Sequence, residues 1–300
     1  MNKYIGVNTT HDAAVAVIDG GELVGSIELE KLPGNQRHAD MKSLEVIPLL
    51  AKKMGASTQQ SSLTIDGYFT GYIKEHSLSV ANYNDGMEAG HGLYRAKEST
   101  ERWLKHTKSN KPVYSSFPHI YGHIMGAYAS SPWAQYREPS YSLVWDGGML
   151  PTLHYVDPNS PLQRIKPIKT LHCITGTFYG IMGYYAGPFK DEKVANSSRI
   201  PFIHKGERHW PGKLMGYIAK GEVLEKLLEI CFDVYSKLEA NYDRSNSHHQ
   251  ITCGLEHALM RGIMLRAFHY CDEDILATVH KFLEVLTISR LAEIGKGSKL

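Results

Sequence analysis

Apolar and polar residues alternate along the first part of the chain in the pattern of neighbouring β-strands. The segment "AAVAVIDGGELVGSIELE", which begins at Ala13, places an Asp-Gly-Gly turn between two β-type runs. A glycine-rich turn between two such runs predicts an antiparallel hairpin. The segment "YSLVWDGGMLPTLHYVD" has the same form and predicts a second hairpin, to which "IKPIKTLHC" is predicted to add a third strand.

Helical periodicity appears between and after these strands. The segment "MKSLEVIPLLAKKMGAS" predicts a helix that ends at Gly55. Helices are also predicted in "PHIYGHIMGAYASSP", "TGTFYGIMGYYAG" and "EVLEKLLEICFDVYSKLEANY", and from about 256 to 290 with a break near 271–274. Short strands are predicted in "LTIDGYFTGY" and "PVYSSF". The polar stretches 74–110 and 187–211 predict irregular insertions.

The composition is that of an ordinary globular protein. Among the 300 residues, 42% are hydrophobic and 21% are charged, with a net charge of +2, so no strong attraction to nucleic acid or membrane is expected. No apolar run approaches about 20 residues, so no membrane-spanning helix is expected. The four cysteines lack Cys-x-x-Cys spacing and are predicted to be free thiols, which favours the cytoplasm, and no signal peptide is expected.

His119 and His123 stand four residues apart in a predicted helix. This spacing places both imidazoles on one helix face, where they can bind one metal ion if further ligands come from elsewhere. Position 120 is isoleucine, so the zinc-peptidase pattern His-Glu-x-x-His is absent. The alternative is a pair of histidines that share a helix face without binding a metal.

His11 and Asp12 follow the first predicted strand, beside Gly6 and Asn8. A histidine oriented by a neighbouring carboxylate can act as a general base. The alternative is an aspartate that caps the turn beside a solvent-facing histidine, and the residues alone leave both interpretations open.

Two glycine-bearing segments are candidates for contact with a phosphate, since glycine lets backbone N–H groups approach an anion closely. One is the turn formed by Asp146, Gly147 and Gly148, although the pattern taken singly is more typical of a tight hairpin turn. The other is "WPGKLMGYIAKG", in which Lys213 and Gly216 could neutralise and admit a phosphate. Its alternative is an amphipathic turn that ends at glycine, and it lacks the P-loop pattern.

Six segments in order resemble the O-carbamoyltransferases of antibiotic and nodulation-factor biosynthesis. They are "GVNTTHDAAVAV", "GSIELEKLPGNQRH", "PHIYGHIMGAYASSP", "SLVWDGGM", "TGTFYG" and "GKLMGYIAKG", spread across residues 5–221. Pro118 stands where the family has a first histidine before the two discussed above. That family shares its fold with the tRNA threonylcarbamoyl-transfer proteins, within the actin-like ATPase superfamily.

The resemblance implies the fold and the site residues. It implies an α/β fold over residues 1–300: an actin-like, ribonuclease H-like lobe with a mixed five-stranded sheet, antiparallel hairpins and flanking helices. The second lobe and an adenylate-forming domain are expected in a complementary C-terminal half. The resemblance implies that His119 and His123 bind a divalent metal ion, with Fe²⁺ favoured and a distant aspartate as third ligand. It implies that His11 and Asp12 lie near the acceptor hydroxyl. Asp146, Gly147 and Gly148 resemble a phosphate- or metal-side turn of the nucleotide site, and Lys213 and Gly216 lie in a segment that lines the same cleft.

The resemblance also implies an activity. The family uses ATP and carbamoyl phosphate to form carbamoyl-adenylate and then transfers the carbamoyl group to a hydroxyl. The acceptor is expected to be a small molecule or a sugar, while the basic stretch 187–211 keeps a hydroxymethylated base of nucleic acid as a further option. Two alternatives stay open: a tRNA threonylcarbamoyl-transfer-like protein, and a non-catalytic half-domain that binds nucleotide or metal.

Overall fold

A computed structural model describes residues 3–8, 12–35, 39, 41, 46–67, 115–160, 164–195, 210–242 and 249–297. The chain divides into two compact units, residues 1–130 and 131–300. The predicted insertion 74–110 lies outside the described residues, as does most of 187–211. Within the described part, no helix combines the length and the apolar character that crossing a membrane requires.

The first unit is built on a five-stranded sheet. The strands follow the order β3-β2-β1-β4-β5, in which β2 is antiparallel to both of its neighbours and β4 and β5 run parallel to β1. The elements are β1 (Lys3–Asn8), β2 (Ala14–Asp19), β3 (Glu22–Glu28), a 3₁₀ turn (Leu29–Lys31), α1 (Val46–Lys53), β4 (Ser62–Gly67), β5 (Ser115–Pro118) and α2 (His119–Ala129).

The alternation of the first strands explains this sheet. Ile5 and Val7 of β1 are buried, as are Val15 and Val17 of β2, and α1 packs Ile47 into the same core. Burial of one strand face sets the register, because a shift by one residue would turn the apolar set toward solvent. The predicted hairpin and the mixed five-stranded sheet are therefore confirmed.

The second unit combines a small sheet with a helical core. Its three strands are antiparallel in the order β6-β7-β8, which confirms the second hairpin and its third strand. The elements are α3 (Pro132–Gln135), β6 (Ser140–Val144), β7 (Thr152–Val156), β8 (Ile165–Thr170), α4 (Phe178–Tyr185), α5 (Glu192–Ala195), α6 (Trp210–Ile218), α7 (Glu225–Glu239), α8 (His249–Ala267) and α9 (Asp272–Gly297).

The aromatic and small residues of α4 lie at the centre of this helical core. Seven of its eight residues are buried, among them Phe178 and Tyr184. Helices α7 and α8 approach closely because Gly262 leaves room for Val234: a Cβ on Gly262 would lie 2.7 Å from the Val234 side chain. The predicted break in the last helical region is confirmed, since α8 ends at Ala267 and α9 begins at Asp272.

One local prediction is corrected. The stretch 187–211 is polar and contains proline, so the sequence predicts a loop throughout. In the structure the short helix α5 lies within it, and α6 begins at Trp210. Trp210 stacks on Phe189 with ring centroids 5.0 Å apart, and Val194 and Ala195 of α5 pack against the helical core of the second unit.

Candidate functional site

The carboxyl ends of three parallel strands meet at one edge of the first unit's sheet. Val7 of β1 pairs with Ile65 of β4, and Asp66 of β4 pairs with Phe117 of β5. In the strand order, β2 and β3 lie on one side of β1, whereas β4 and β5 lie on the other. Ligand sites in open α/β sheets form outside the carboxyl ends of strands where the chain connections diverge to opposite sides in this way. A ligand site of this unit is therefore expected at this edge of the sheet.

The turn after β1 brings Asp12 to this edge. Asp12 has φ 62°, a left-handed conformation that aspartate tolerates better than most residues. The amide of Asn8 donates to the Asp12 carbonyl oxygen at 3.4 Å, and the Asp12 side chain is exposed. His11, its predicted partner in acid–base chemistry, lies outside the described residues, so the role of this pair stays a prediction.

His119 and His123 are brought together on α2, which begins directly after β5. Their Nε2 atoms are 2.9 Å apart, and the two rings meet edge to face at an interplanar angle of 84°. The helical spacing predicted from the sequence is thus confirmed, and both ring nitrogens converge on one point.

Asp66 is a residue that sequence reasoning missed. Its Oδ2 atom lies 2.7 Å from Nδ1 of His119, and both side chains are largely shielded from solvent, with 17% and 15% exposed. The carboxylate accepts a hydrogen from Nδ1 and so leaves Nε2 of His119 as the lone-pair nitrogen. The available signal was weak: an acidic residue interrupts an apolar strand one position before its end, where Asp-Gly is also a common turn pattern.

The donor chemistry of this group fits a divalent metal ion. Two nitrogens that bind one tetrahedral ion at about 2.0–2.1 Å lie roughly 3.3 Å apart, so Nε2 atoms at 2.9 Å need to separate by only a few tenths of an ångström. Metal-bound histidines usually donate their other ring N–H to a carboxylate, as His119 does to Asp66. These features match the requirements of a metal ligand pair.

The turn at Asp146 in the second unit is held by hydrogen bonds from the start of α4. The N–H of Gly176 donates to the Asp146 carbonyl at 3.0 Å, and the N–H of Thr177 donates to the Gly147 carbonyl at 2.8 Å. The segments "SLVWDGGM" and "TGTFYG", distinct in sequence, therefore lie side by side. The sequence identified both segments but not their contact.

Gly147 and Gly148 have open space beside them. A Cβ on either would meet nothing within 4 Å, and neither has a positive φ, so the fold of the described residues does not require glycine there. At Gly176 the opposite holds, because a Cβ would lie 2.8 Å from the Asp146 carbonyl oxygen. Space beside two glycines leaves their backbone accessible to a ligand.

Lys213 and Gly216 lie on the exposed side of α6. Leu214 and Ile218 form the buried side of the same helix. The segment is therefore helical and amphipathic, as the non-binding interpretation required, yet both candidate residues remain accessible. Their part in nucleotide binding stays a prediction.

Comparisons with known proteins agree on one family. A sequence model described as "Carbamoyltransferase N-terminus" matches residues 3–299. Nodulation protein U of Azorhizobium caulinodans is 29% identical over 306 residues, which cover 96% of this chain and 51% of that protein. Nodulation protein U of Sinorhizobium fredii is 27% identical, covering 97% and 52%, and that of Bradyrhizobium diazoefficiens is 26% identical, covering 97% and 51%. The chain spans about half the length of the curated relatives it matches.

Proposed function

Because the chain belongs to the carbamoyltransferase N-terminus family, we propose that it forms part of an enzyme that transfers a carbamoyl group to a hydroxyl. Carbamoyl phosphate is the donor, ATP is the co-substrate and carbamoyl-adenylate is the intermediate. The observation that carries the proposal is the group formed by His119, His123 and Asp66 at the carboxyl ends of the parallel strands.

In this proposal, His119 and His123 hold a divalent metal ion through their Nε2 atoms. Fe²⁺ is favoured by the family resemblance, and imidazole nitrogens suit iron, zinc and related ions alike. When bound, such an ion supplies Lewis-acid polarisation of the carbamoyl carbonyl. Asp66 keeps the hydrogen of His119 on Nδ1, so Nε2 remains available as a ligand.

The nucleotide site includes the turn at Asp146 in this proposal. Backbone N–H groups of Gly147 and Gly148 approach the phosphates, since no side chain stands between. Lys213, exposed on α6, supplies positive charge. The strand order and directions of the first unit support assignment to the ribonuclease H-like sheet on which actin-like ATPases are built.

In the transfer step the acceptor oxygen attacks the carbamoyl carbon of the adenylate. The new carbon–oxygen bond forms as the bond from that carbon to the adenylate phosphate oxygen breaks, and AMP leaves with the electron pair. His11 takes the hydroxyl proton, with Asp12 orienting its ring. A small molecule or sugar is the first choice of acceptor, and a hydroxymethylated nucleobase is the second.

The proposal is tested by AMP release from ATP and carbamoyl phosphate, with water or an added sugar hydroxyl taking the carbamoyl group and with the polypeptide that corresponds to the remaining half of the relatives present. We expect AMP formation that depends on carbamoyl phosphate and on a divalent metal. Formation of AMP that instead requires threonine, bicarbonate and tRNA as acceptor would favour the tRNA threonylcarbamoyl-transfer alternative. Absence of both AMP and bound metal would contradict the enzyme proposal and leave the binding half-domain.

Metal content tests the ligand assignment separately. His119→Ala or His123→Ala removes one of two converging nitrogens, and we expect bound iron, measured by elemental analysis, to fall by about tenfold or more. His269→Ala is the matched control, because His269 is an exposed histidine of the second unit. Iron at wild-type stoichiometry in both ligand variants would show the assignment to be wrong.

A further inference from the structure

Glu256 is a buried carboxyl group on α8 that holds a loop. Its side chain has no exposed surface. The backbone N–H of Thr175 donates to Oε1 at 2.6 Å, and the Thr175 hydroxyl donates to the same oxygen at 2.7 Å. The Thr177 hydroxyl lies 2.6 Å from that of Thr175 and 3.5 Å from Oε2. One carboxyl group therefore anchors both threonines of the "TGTFYG" segment.

The same segment binds the candidate phosphate turn. Gly176, between the two threonines, and Thr177 donate their backbone N–H groups to the carbonyls of Asp146 and Gly147. Gly176 also lies so close to Asp146 that no Cβ fits between them. Helix α8 is thus connected to the turn by two sets of hydrogen bonds. The Glu256 carboxyl group binds the loop, and the backbone of the loop binds the backbone of the turn.

A carboxyl group at this place has a cost that an apolar side chain would not have. Burial raises the pKa of Glu256 to about 8, although hydrogen bonds from Thr175 and Thr177 act in the opposite direction. An apolar side chain of similar volume would not carry the desolvation cost of a buried carboxyl group. Such a side chain would fill the space beside Thr175 but could not accept its hydrogen bonds.

We propose that Glu256 is a positioning residue, which fixes the loop Thr175–Thr177 and, through the backbone of that loop, sets the position of the turn Asp146–Gly148. The geometric part of this inference stands on the described contacts. Its consequence for nucleotide binding rests on the proposed function of the turn. Glu256 itself lies beneath the loop and does not contact the nucleotide.

Three variants separate hydrogen bonding from packing. Glu256→Gln retains an oxygen that accepts from Thr175 and gains an N–H₂ group that can donate to the Thr177 hydroxyl. Glu256→Met fills the space but accepts none of these bonds. Thr278→Val is the matched control. Thr278 is fully buried, and its hydroxyl oxygen accepts a hydrogen bond from the backbone N–H of Leu224, away from the loop.

The first measurement is hydrogen exchange at the amides of Gly176 and Thr177 in the folded chain. We expect Glu256→Met to speed exchange at these two amides by about tenfold or more, while Glu256→Gln stays within about twofold of the wild type. Thr278→Val should lower global stability without this local effect. The proposal would be overturned if these two amides exchanged in Glu256→Met at the wild-type rate. It would also be overturned if they exchanged as fast in Glu256→Gln as in Glu256→Met.

The second measurement is the affinity for ATP with Mg²⁺, with the polypeptide that corresponds to the remaining half of the relatives present. We expect Glu256→Met to weaken binding by about tenfold and Glu256→Gln to restore it. If Glu256→Met bound ATP with the affinity of the wild type, the inference that Glu256 supports nucleotide binding would be overturned. If the wild-type protein itself does not bind ATP, the proposed function fails, whereas the exchange measurement still decides whether Glu256 positions the turn.

Discussion

Two carboxyl groups hold segments that the sequence identified, "PHIYGHIMGAYASSP" and "TGTFYG", and each carboxyl group comes from a distant part of the chain. Asp66 contacts His119 across 53 positions, and Glu256 contacts Thr175 across 81 positions. In both places an oxygen of the carboxyl group accepts a hydrogen bond that orients a neighbour. Both residues act through the group they hold.

Asp66→Asn tests this role for the histidine pair. The amide can accept from Nδ1 of His119 only weakly and carries no charge, so Nε2 becomes a poorer ligand. We expect metal affinity to fall by about tenfold to a hundredfold, measured by competition with a metal indicator. The chain should remain folded, because Asp66 is not part of the apolar core.

Asp19→Asn is the matched control for this prediction. Asp19 ends β2 and pairs with Lys3, at the opposite end of the same sheet from the histidines. This substitution also removes one carboxylate from the sheet, but it should leave metal affinity within about twofold of the wild type. Equal losses in both variants would mean that Asp66 acts only through general charge.

Two hairpin turns share the sequence Asp-Gly-Gly yet differ in why they contain glycine. In the turn between β2 and β3, Gly20 and Gly21 have φ values of 60° and 91°, which glycine adopts without strain. In the turn after β6, no conformation or contact among the described residues requires Gly147 or Gly148. The first turn therefore requires glycine because of its positive φ angles, whereas the backbone conformation of the second turn does not require glycine.

Substitution by alanine separates these cases at the level of the turn. Gly147→Ala should change the free energy of unfolding by no more than about 0.5 kcal/mol, since nothing lies within 4 Å of the added Cβ. Its ATP affinity, measured by titration calorimetry, should fall if the turn binds phosphate. Gly176→Ala places Cβ 2.8 Å from a carbonyl oxygen and should destabilise the second unit by about 1–3 kcal/mol in urea unfolding.

Each outcome of this pair is informative. Unchanged ATP affinity in a stable Gly147→Ala protein would argue against a phosphate at this turn. Gly21→Ala provides a comparison in the other hairpin: it should destabilise the first unit through its positive φ, without a direct effect on the turn at Asp146.

At the scale of the whole molecule, the two compact units have cores of different composition. The first core consists of aliphatic strand residues covered by α1, whereas the second is formed by helices and contains buried aromatic and ionisable groups. Glu256, His257 and His172 all belong to the second unit and are each at most 2% exposed. Its stability should therefore depend on pH.

The direction follows from the shifted pKa values. Burial lowers the pKa of His257 to about 4 and that of His172 to about 3, so the unfolded chain binds protons below about pH 6.5 that the folded unit does not, and stability falls as pH falls. Burial raises the pKa of Glu256 to about 8, so its contribution is full below about pH 4.5 and is lost as pH rises to about 8. We expect maximal stability near pH 6.5.

Urea unfolding followed by tryptophan fluorescence between about pH 4 and 9 measures this dependence. The window from about pH 6.5 to 8 isolates Glu256, because the two histidines are neutral there in both states. Glu256→Gln should remove the fall in stability across that window. If the fall in stability between about pH 6.5 and 8 were unchanged in this variant, a titrating group other than Glu256 would cause it.

Much of the architecture was predictable because it depends on local patterns. The hairpins at residues 13–30 and 141–157 follow from alternation around glycine turns, and most helices follow from apolar spacing. The short helix α5 was not predicted from its polar composition: Val194 and Ala195 pack against the helical core of the second unit, and Nε of Arg261 donates to the Ala195 carbonyl oxygen. Tertiary contacts can override weak local preference in this way.

The sequence by itself determined most of the secondary elements, the spacing of His119 and His123, and the order of motifs by which the family is recognised. Only the tertiary structure decided that Asp66 orients His119 and that Glu256 supports the turn at Asp146. The reason is physical: periodicity and turn preference act over a few residues, whereas a hydrogen bond between distant residues depends on which strands and helices the folded chain brings together.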